Sequence, residues 1–354
     1  MKFFRQLIFL VFILAFMIFF SSWGYLGHYK INTNAELSFN QGMGQFYQWT
    51  GVLAEHASDA DERKAWDPSE APKHYIDIDN YPEFVANGTI PQTLDSVITI
   101  HGYNWVYDQG ILPWATITAY DSLQSCFERG DWDQAVLFAA DLGHYVADGH
   151  MPLHITRNYN GQYTGNNGIH SRYESEMIEI YNNQIIYPGF QILAIENVNQ
   201  YVFNYLYSNY TYIDSLLAAD DYAHNLAGNT NSSLYYSTLW DETESFTVTM
   251  FKKASHNLAE LIYTAWVNAG SPLITSDFSP SLTRDEIMEQ NSPNPFKQST
   301  TFVYHLSQPS QVLLKVMDFS GKPVKVLIDE MKSAGKYQVE WNAESFSQVY
   351  ILFA

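Results

Sequence analysis

The segment Leu142-Gly-His-Tyr-Val-Ala-Asp-Gly-His-Met-Pro-Leu-His154 places three histidines and an aspartate within thirteen residues. Imidazole nitrogens and carboxylate oxygens gathered so closely are metal-ligand chemistry. If residues 131–150 form a helix, His144 and Asp148 stand at i and i+4 and project from one face, as two ligands of one ion must. Pro152 ends that helix, so His154 arrives from another direction. A lone histidine on an apolar helix is ordinarily a hydrogen-bonded core residue; four ligand-type side chains on this spacing reverse that preference.

Other segments carry the same chemistry. His170 and Glu174, again at i and i+4, open a further predicted helix. The turn-rich stretch from Trp66 to Pro91 contains His74-Tyr-Ile-Asp77-Ile-Asp79, and such loops commonly carry functional side chains. Zinc in hydrolytic sites takes imidazole and carboxylate ligands, and several ions together both activate water and bind phosphate. Trp23 with His28, Asp77 with a nearby histidine, and His144, Asp148 and His154 with His170 and Glu174 therefore point to a site of three ions. Cys126 is the single cysteine, which excludes an intramolecular disulfide framework and zinc sites of the Cys-x-x-Cys kind.

These side chains need a scaffold, and the hydrophobic spacing supplies one. Residues 112–129 and 131–150 read as two helices separated by Gly130, with Asp131 as N-cap of the second. Ala139, Ala140, Gly143 and Ala147 on that second helix let a neighbour pack close. Leu37, Phe39, Met43, Phe46, Trp49 and Leu53 have helical spacing, and residues of about 190–226 and 230–269 read as core helices. Ser, Pro and Thr from Ser271 to Thr283 mark a linker. Beyond it the period falls to two in five segments: 301–306, 311–317, 324–328, 337–341 and 349–352. The expected architecture is a mainly α-helical catalytic domain over 23–270, a linker over 271–283 and a small C-terminal β-sandwich over 284–354.

The first 22 residues, with Lys2 and Arg5 before an apolar run from Leu7 to Phe20 and then Ser21-Ser22, read as a secretory signal peptide. Its removal would make Trp23 the first residue. Charged residues are 16% of the 354 and aromatics 16%, a composition that packs rather than stays disordered. Between Trp23 and Pro280, nine Lys or Arg stand against thirty Asp or Glu, a formal −21. No basic run occurs, so the electrostatic footprint of a duplex-binding protein is missing.

Trp23 with His28, the run His144 to His154, and His170-x-x-Tyr-Glu174 resemble the superfamily that unites bacterial zinc-dependent phospholipases C with fungal single-strand-specific nucleases. The resemblance covers most of the first domain. It implies three zinc ions. The amino group and carbonyl of Trp23, His28 and one oxygen of Asp148 would hold the first. Asp77, His144, the other oxygen of Asp148 and a further histidine would hold the second, with Asp77 also orienting the attacking water. His154, His170 and Glu174 would hold the third. His101 in Thr99-Ile-His-Gly102 is the histidine expected in the second set, with His74 and His150 as alternatives.

The same resemblance implies a phosphodiester substrate, phospholipid or nucleic acid. Tyr173-Glu174 is similar to the phospholipases, Pro152-Leu153-His154 to the nucleases. The net negative charge suits a cationic headgroup better than a long polyanion. A secreted zinc-binding adhesion protein with closed metal sites is the non-enzymatic alternative. The C-terminal stretch from Asn291-Ser-Pro-Asn-Pro-Phe296 resembles the sorting domain of the type IX secretion system, which implies passage through the periplasm to the cell surface or medium, with the secretion machinery as a partner. This chain ends at Ala354 without the basic tail usual in such domains, so an incomplete sorting domain is expected, on a monomeric protein.

Overall fold

The computed structural model describes residues 24–274, 298–306, 310–317, 323–333 and 335–342. They fall into two compact units, one within Met1–Phe278 and one within Ser279–Ala354. Mainly α-helix makes up the first, and a small antiparallel β-structure the second.

The helical unit begins with α1 (Gly24–Ala35), α2 (Thr50–Glu55) and α3 (Asp59–Arg63), with a 3₁₀ stretch at Gln41–Trp49 between the first two. The helical spacing read over this region thus folds as several short pieces, because Phe46 and Trp49 turn inward together onto Phe127, Trp49 stacking on it at 5.7 Å. Burying side chains of this size contributes about 1.5–3 kcal/mol each. The turn-rich stretch holds a 3₁₀ turn at Ala71–His74 and α4 (Pro82–Asn87), followed by α5 (Leu94–His101) and α6 (Tyr103–Asp108).

The two central helices form where the pattern places them, as α7 (Leu112–Arg129) and α8 (Trp132–Asp148). The Asp131 side chain accepts from the Gln134 backbone N–H and caps α8, satisfying one of its orphan donors. Helix α1 crosses α8 at Gly143. A Cβ there would overlap the Asn32 side-chain oxygen, so the glycine makes room for the Asn32 side chain between the two helices.

After α8, Pro152 opens a 3₁₀ turn that ends at His154. The helix of His170 runs Ile169–Ser171, passes through a π-helical turn at Arg172–Met177 and resumes at Ile178–Tyr181. Residues 190–197 are not helical. The remaining core helices are α9 (Val198–Tyr210), α10 (Ile213–Ala227) and α11 (Ser233–Asn268). No helix among the described residues is long and apolar enough to cross a membrane.

In the second unit, β1 (Ser299–Leu306) pairs antiparallel with β4 (Gly335–Asn342), and β2 (Ser310–Met317) with β3 (Pro323–Lys332). Phe302, Tyr304, Leu314, Val316, Ile328 and Trp341 from all four strands share one core, which is the period-two pattern expressed as a buried face. The expected fifth strand at 349–352 and the Asn291–Phe296 segment lie outside the described residues, as does the leader expected over 1–22.

Candidate metal centre

Asp148 is wholly buried at the end of α8, and its two oxygens face different partners. Oδ1 lies 3.5 Å from His28 Nε2 and 3.3 Å from His154 Nδ1. Oδ2 lies 3.1 Å from His74 Nδ1 and 3.3 Å from His144 Nε2. Around it the structure gathers three sets of ligand atoms: His28, His144 and Asp148; Asp61, His74 and His144; and His154, His170 and Glu174.

Asp148 joins the second set, so that four donors converge there. His74 Nδ1 and His144 Nε2 are 3.0 Å apart, and Asp61 Oδ1 lies 3.4 Å from the former and 3.6 Å from the latter. A tetrahedron of ligands at zinc distances has edges of about 3.3 Å, and these edges scatter around that length. The donor set fits the ion chemically as well. His144 Nδ1 lies 2.8 Å from the Ala57 carbonyl and, as the donor there, leaves Nε2 with its lone pair facing inward. Lone pairs and two carboxylates gathered around one point could hold a metal ion between them.

The third set repeats the device. His154 Nδ1 donates to the His74 carbonyl at 2.8 Å and His170 Nδ1 to that of Tyr159 at 3.0 Å. Their Nε2 atoms then face each other at 3.3 Å, and Glu174 Oε2 is 2.7 Å from His170 Nε2. The π-helical turn carries Glu174 inward, wholly buried, while His170 stays a quarter exposed. In the first set His28 stacks on His144, ring centroids 3.9 Å apart. Imidazole and carboxylate donors without thiolate suit zinc among other divalent metal ions.

The electrostatics describe the same cation-seeking field. Burial opposes a proton on His144 and on His154, yet the Asp148 carboxylate, helped by Asp61 for one and Glu174 for the other, pushes them up to about 9 and about 10. His28 moves the opposite way, to about 3, through burial and the neighbouring His144. Two stacked imidazoles cannot both be cations, and Asp148 with Asp61 favours His144.

The structure brings together only part of the expected second set. Asp77 and His101, expected as its ligands, belong to none of the three groups among the described residues. His101 Nε2 sits 3.1 Å from Glu83, and its ring packs on Tyr81 and Trp105. Asp77 lies three residues past His74, where its backbone N–H donates to the Gln109 carbonyl and its carboxyl is half-buried. Burial and the neighbouring Asp79 raise that carboxyl to about 7, against the pull of Arg157. Asp61 from α3 and His74 are the side chains that lie with His144 there. His74 is positioned from below: Ile111 and Leu112 donate to the Pro72 and Tyr75 carbonyls, and Gly110 leaves room where a Cβ would overlap the Tyr75 carbonyl.

His150, the other alternative, is a core residue, with Nδ1 on the Val146 carbonyl, Nε2 on the Asn257 amide and its ring stacked on Tyr205. Trp23 lies outside the described residues. Asp61 carried no signal in the sequence, since Asp59-Ala-Asp-Glu-Arg63 reads as a solvated helix face. A cavity of about 370 Å³ lined by Asn166, Arg172, Asp220 and Asp221 among others contains none of the ligand side chains.

No protein-family profile matches the sequence, and no curated protein matches it. Among solved structures, the chain is similar to the alpha-toxin of Clostridium perfringens from avian strain SWCP, with a TM-score of 0.46 and 12% identity over 91% of this chain and 83% of that one. It is similar also to the alpha toxin of Clostridium absonum, with a TM-score of 0.46 and 11% identity over 89% of this chain and 82% of that one.

Proposed function

We propose that this chain is a secreted zinc-dependent hydrolase of phosphodiester bonds, phospholipase C-like in substrate, with three ions held by the sets around Asp148. The observation that carries the reading is the division of one wholly buried carboxylate between two ligand sets, with a third set one histidine away. An isolated buried carboxylate would take up a proton rather than stay charged, so a charge kept here in the midst of imidazoles serves a cation. Trp23 would complete the first set once a leader over 1–22 is removed.

Zinc bound in such sets lowers the pKa of water toward neutrality and offsets the charge that develops on a phosphoryl group. The residues do the rest. Asp148 and the backbone-anchored histidines fix the ligand positions, so little reorganisation remains for the reaction. Asp61 is the carboxylate suited to exchanging a proton with a reacting water, since it is less buried than Asp148; the Lys64 ammonium lies 2.6 Å from its Oδ1. In the third set only three protein groups come together among the described residues, and the exposed side of His170 leaves an approach for a substrate oxygen. That openness favours an enzyme over a closed structural site.

Hydrolysis of single-stranded nucleic acid is the alternative that the same chemistry allows. The excess of thirty acidic over nine basic residues between Trp23 and Pro280 disfavours a long polyanion. One preparation assayed on phosphatidylcholine vesicles and on single-stranded DNA separates the two. Chelator-sensitive release of diacylglycerol without nucleotide release is expected; the reverse pattern assigns the nuclease, and activity untouched by chelator overturns the zinc reading.

A further inference from the structure

Behind His74, on the side away from the second set, lies a second buried carboxylate. Glu70 stands four residues before His74, at the N-cap of the Ala71–His74 3₁₀ turn, 1% exposed, with Oε1 3.5 Å from His74 Nε2. Its other partners hold it in place. Lys73 Nζ lies 2.8 Å and Arg63 Nε 3.3 Å from Oε2, the Tyr145 hydroxyl donates to Oε1, and Arg63 is itself anchored on Asp141 at 2.9 Å. The carboxylate therefore cannot swing away from the imidazole.

We propose that Glu70 is a positioning residue for the second metal set, one that selects the tautomer and the ring orientation of His74. The inference rests on the reading of that set as a zinc site. His74 offers Nδ1 to Asp61, Asp148 and His144. To ligate an ion, Nδ1 must carry a lone pair, and the ring proton must sit on Nε2. His144, His154 and His170 secure the equivalent arrangement with backbone carbonyls. For His74 no such carbonyl is at hand, and Nε2 has no hydrogen-bond partner within ordinary reach. The Glu70 carboxylate, with Oε1 3.5 Å from Nε2, is the acceptor within reach of that N–H. A carboxylate in that role also makes the ligating nitrogen more basic, which strengthens the bond to an ion. The interaction is absent from α8 and from every motif by which the site is recognised, because it depends on the i, i+4 pairing of Glu70 with His74 outside a regular helix.

The test compares wild type with Glu70→Gln, Glu70→Asp and Tyr145→Phe in the full mature chain, with zinc content measured directly and affinity read by competition with a colorimetric chelator. Glu70→Gln is expected to weaken the binding of one equivalent of zinc about 10–100-fold and leave the rest bound as in wild type. Tyr145→Phe removes a donor from the same carboxylate but keeps its face toward His74, so its zinc affinity stays within about twofold of wild type while stability falls. Should Glu70→Gln fail to fold, Glu70→Asp decides: it keeps the charge beside Arg63 and Lys73 while withdrawing it from His74, and one equivalent of zinc is weakened again. Wild-type affinity for every equivalent in the folded Glu70 variants overturns the proposal, as does equal weakening in Tyr145→Phe. A wild type that binds no zinc at the second set overturns instead the reading beneath it.

Discussion

His28 and His144 lie face to face, their rings 6° from parallel, on two helices that touch through Asn32 and Gly143. Gly143→Ala gains about 1 kcal/mol in helix propensity but drives a methyl group into Asn32, an overpacking that costs about 1–3 kcal/mol. The net expectation is a lower melting temperature and weaker binding of the ion nearest His28, with the third set unchanged. Thermal denaturation and zinc analysis of the variant check both parts.

Asp148→Asn keeps the shape of the side chain and removes its charge from two sets at once. One zinc should remain, held by His154, His170 and Glu174, and activity should fall at least about 10²-fold. Retention of all bound zinc, or of wild-type turnover, contradicts the bridging role.

Histidine substitutions distinguish the second set as the structure shows it from the set expected from sequence. His74→Ala should lose one equivalent of zinc. His101→Ala should lose none, since that imidazole is paired with Glu83, and its effect should be confined to a modest drop in stability. Metal content of the two purified variants decides.

Asp77 gives a pH dependence with a definite sign. Its folded-state carboxyl is raised to about 7 by burial and by Asp79, so unfolding releases a proton between about pH 4 and 7. The penalty for its charge is absent below the ordinary carboxylate range, grows as the pH rises toward 7 and is complete above it. Asp77→Asn should therefore raise the melting temperature at pH 8 and leave it nearly unchanged at pH 4, with zinc content unaltered. Equal shifts at both pH values would rule out the charge penalty.

Much of this site was legible because its ligands come from periodic elements. His144 with Asp148 and His170 with Glu174 announce themselves by spacing, and Pro152 marks the turn that redirects His154. Helices α7 and α8 follow their hydrophobic pattern to within a few residues. Asp61 and His74 belong to a different kind of signal. They sit on a five-residue helix and a 3₁₀ turn, elements too short to impose a period, and only the packing of both against α8 brings them together. The π-helical turn was equally silent, since an inserted residue in the backbone ladder leaves the i, i+4 pattern of His170 and Glu174 intact.

His74 takes part in two sets in two capacities: its ring faces Asp61, His144 and Asp148, and its carbonyl accepts from His154, while Ile76 N–H returns a bond to the His154 carbonyl. Occupancy of one set is thereby linked to occupancy of the next through a shared stretch of main chain. Linkage of this sort is reciprocal: whatever free energy an ion in the second set lends to the third, an ion in the third lends back. On the reading of both sets as metal sites, removal of one ion would therefore change the hold on its neighbour.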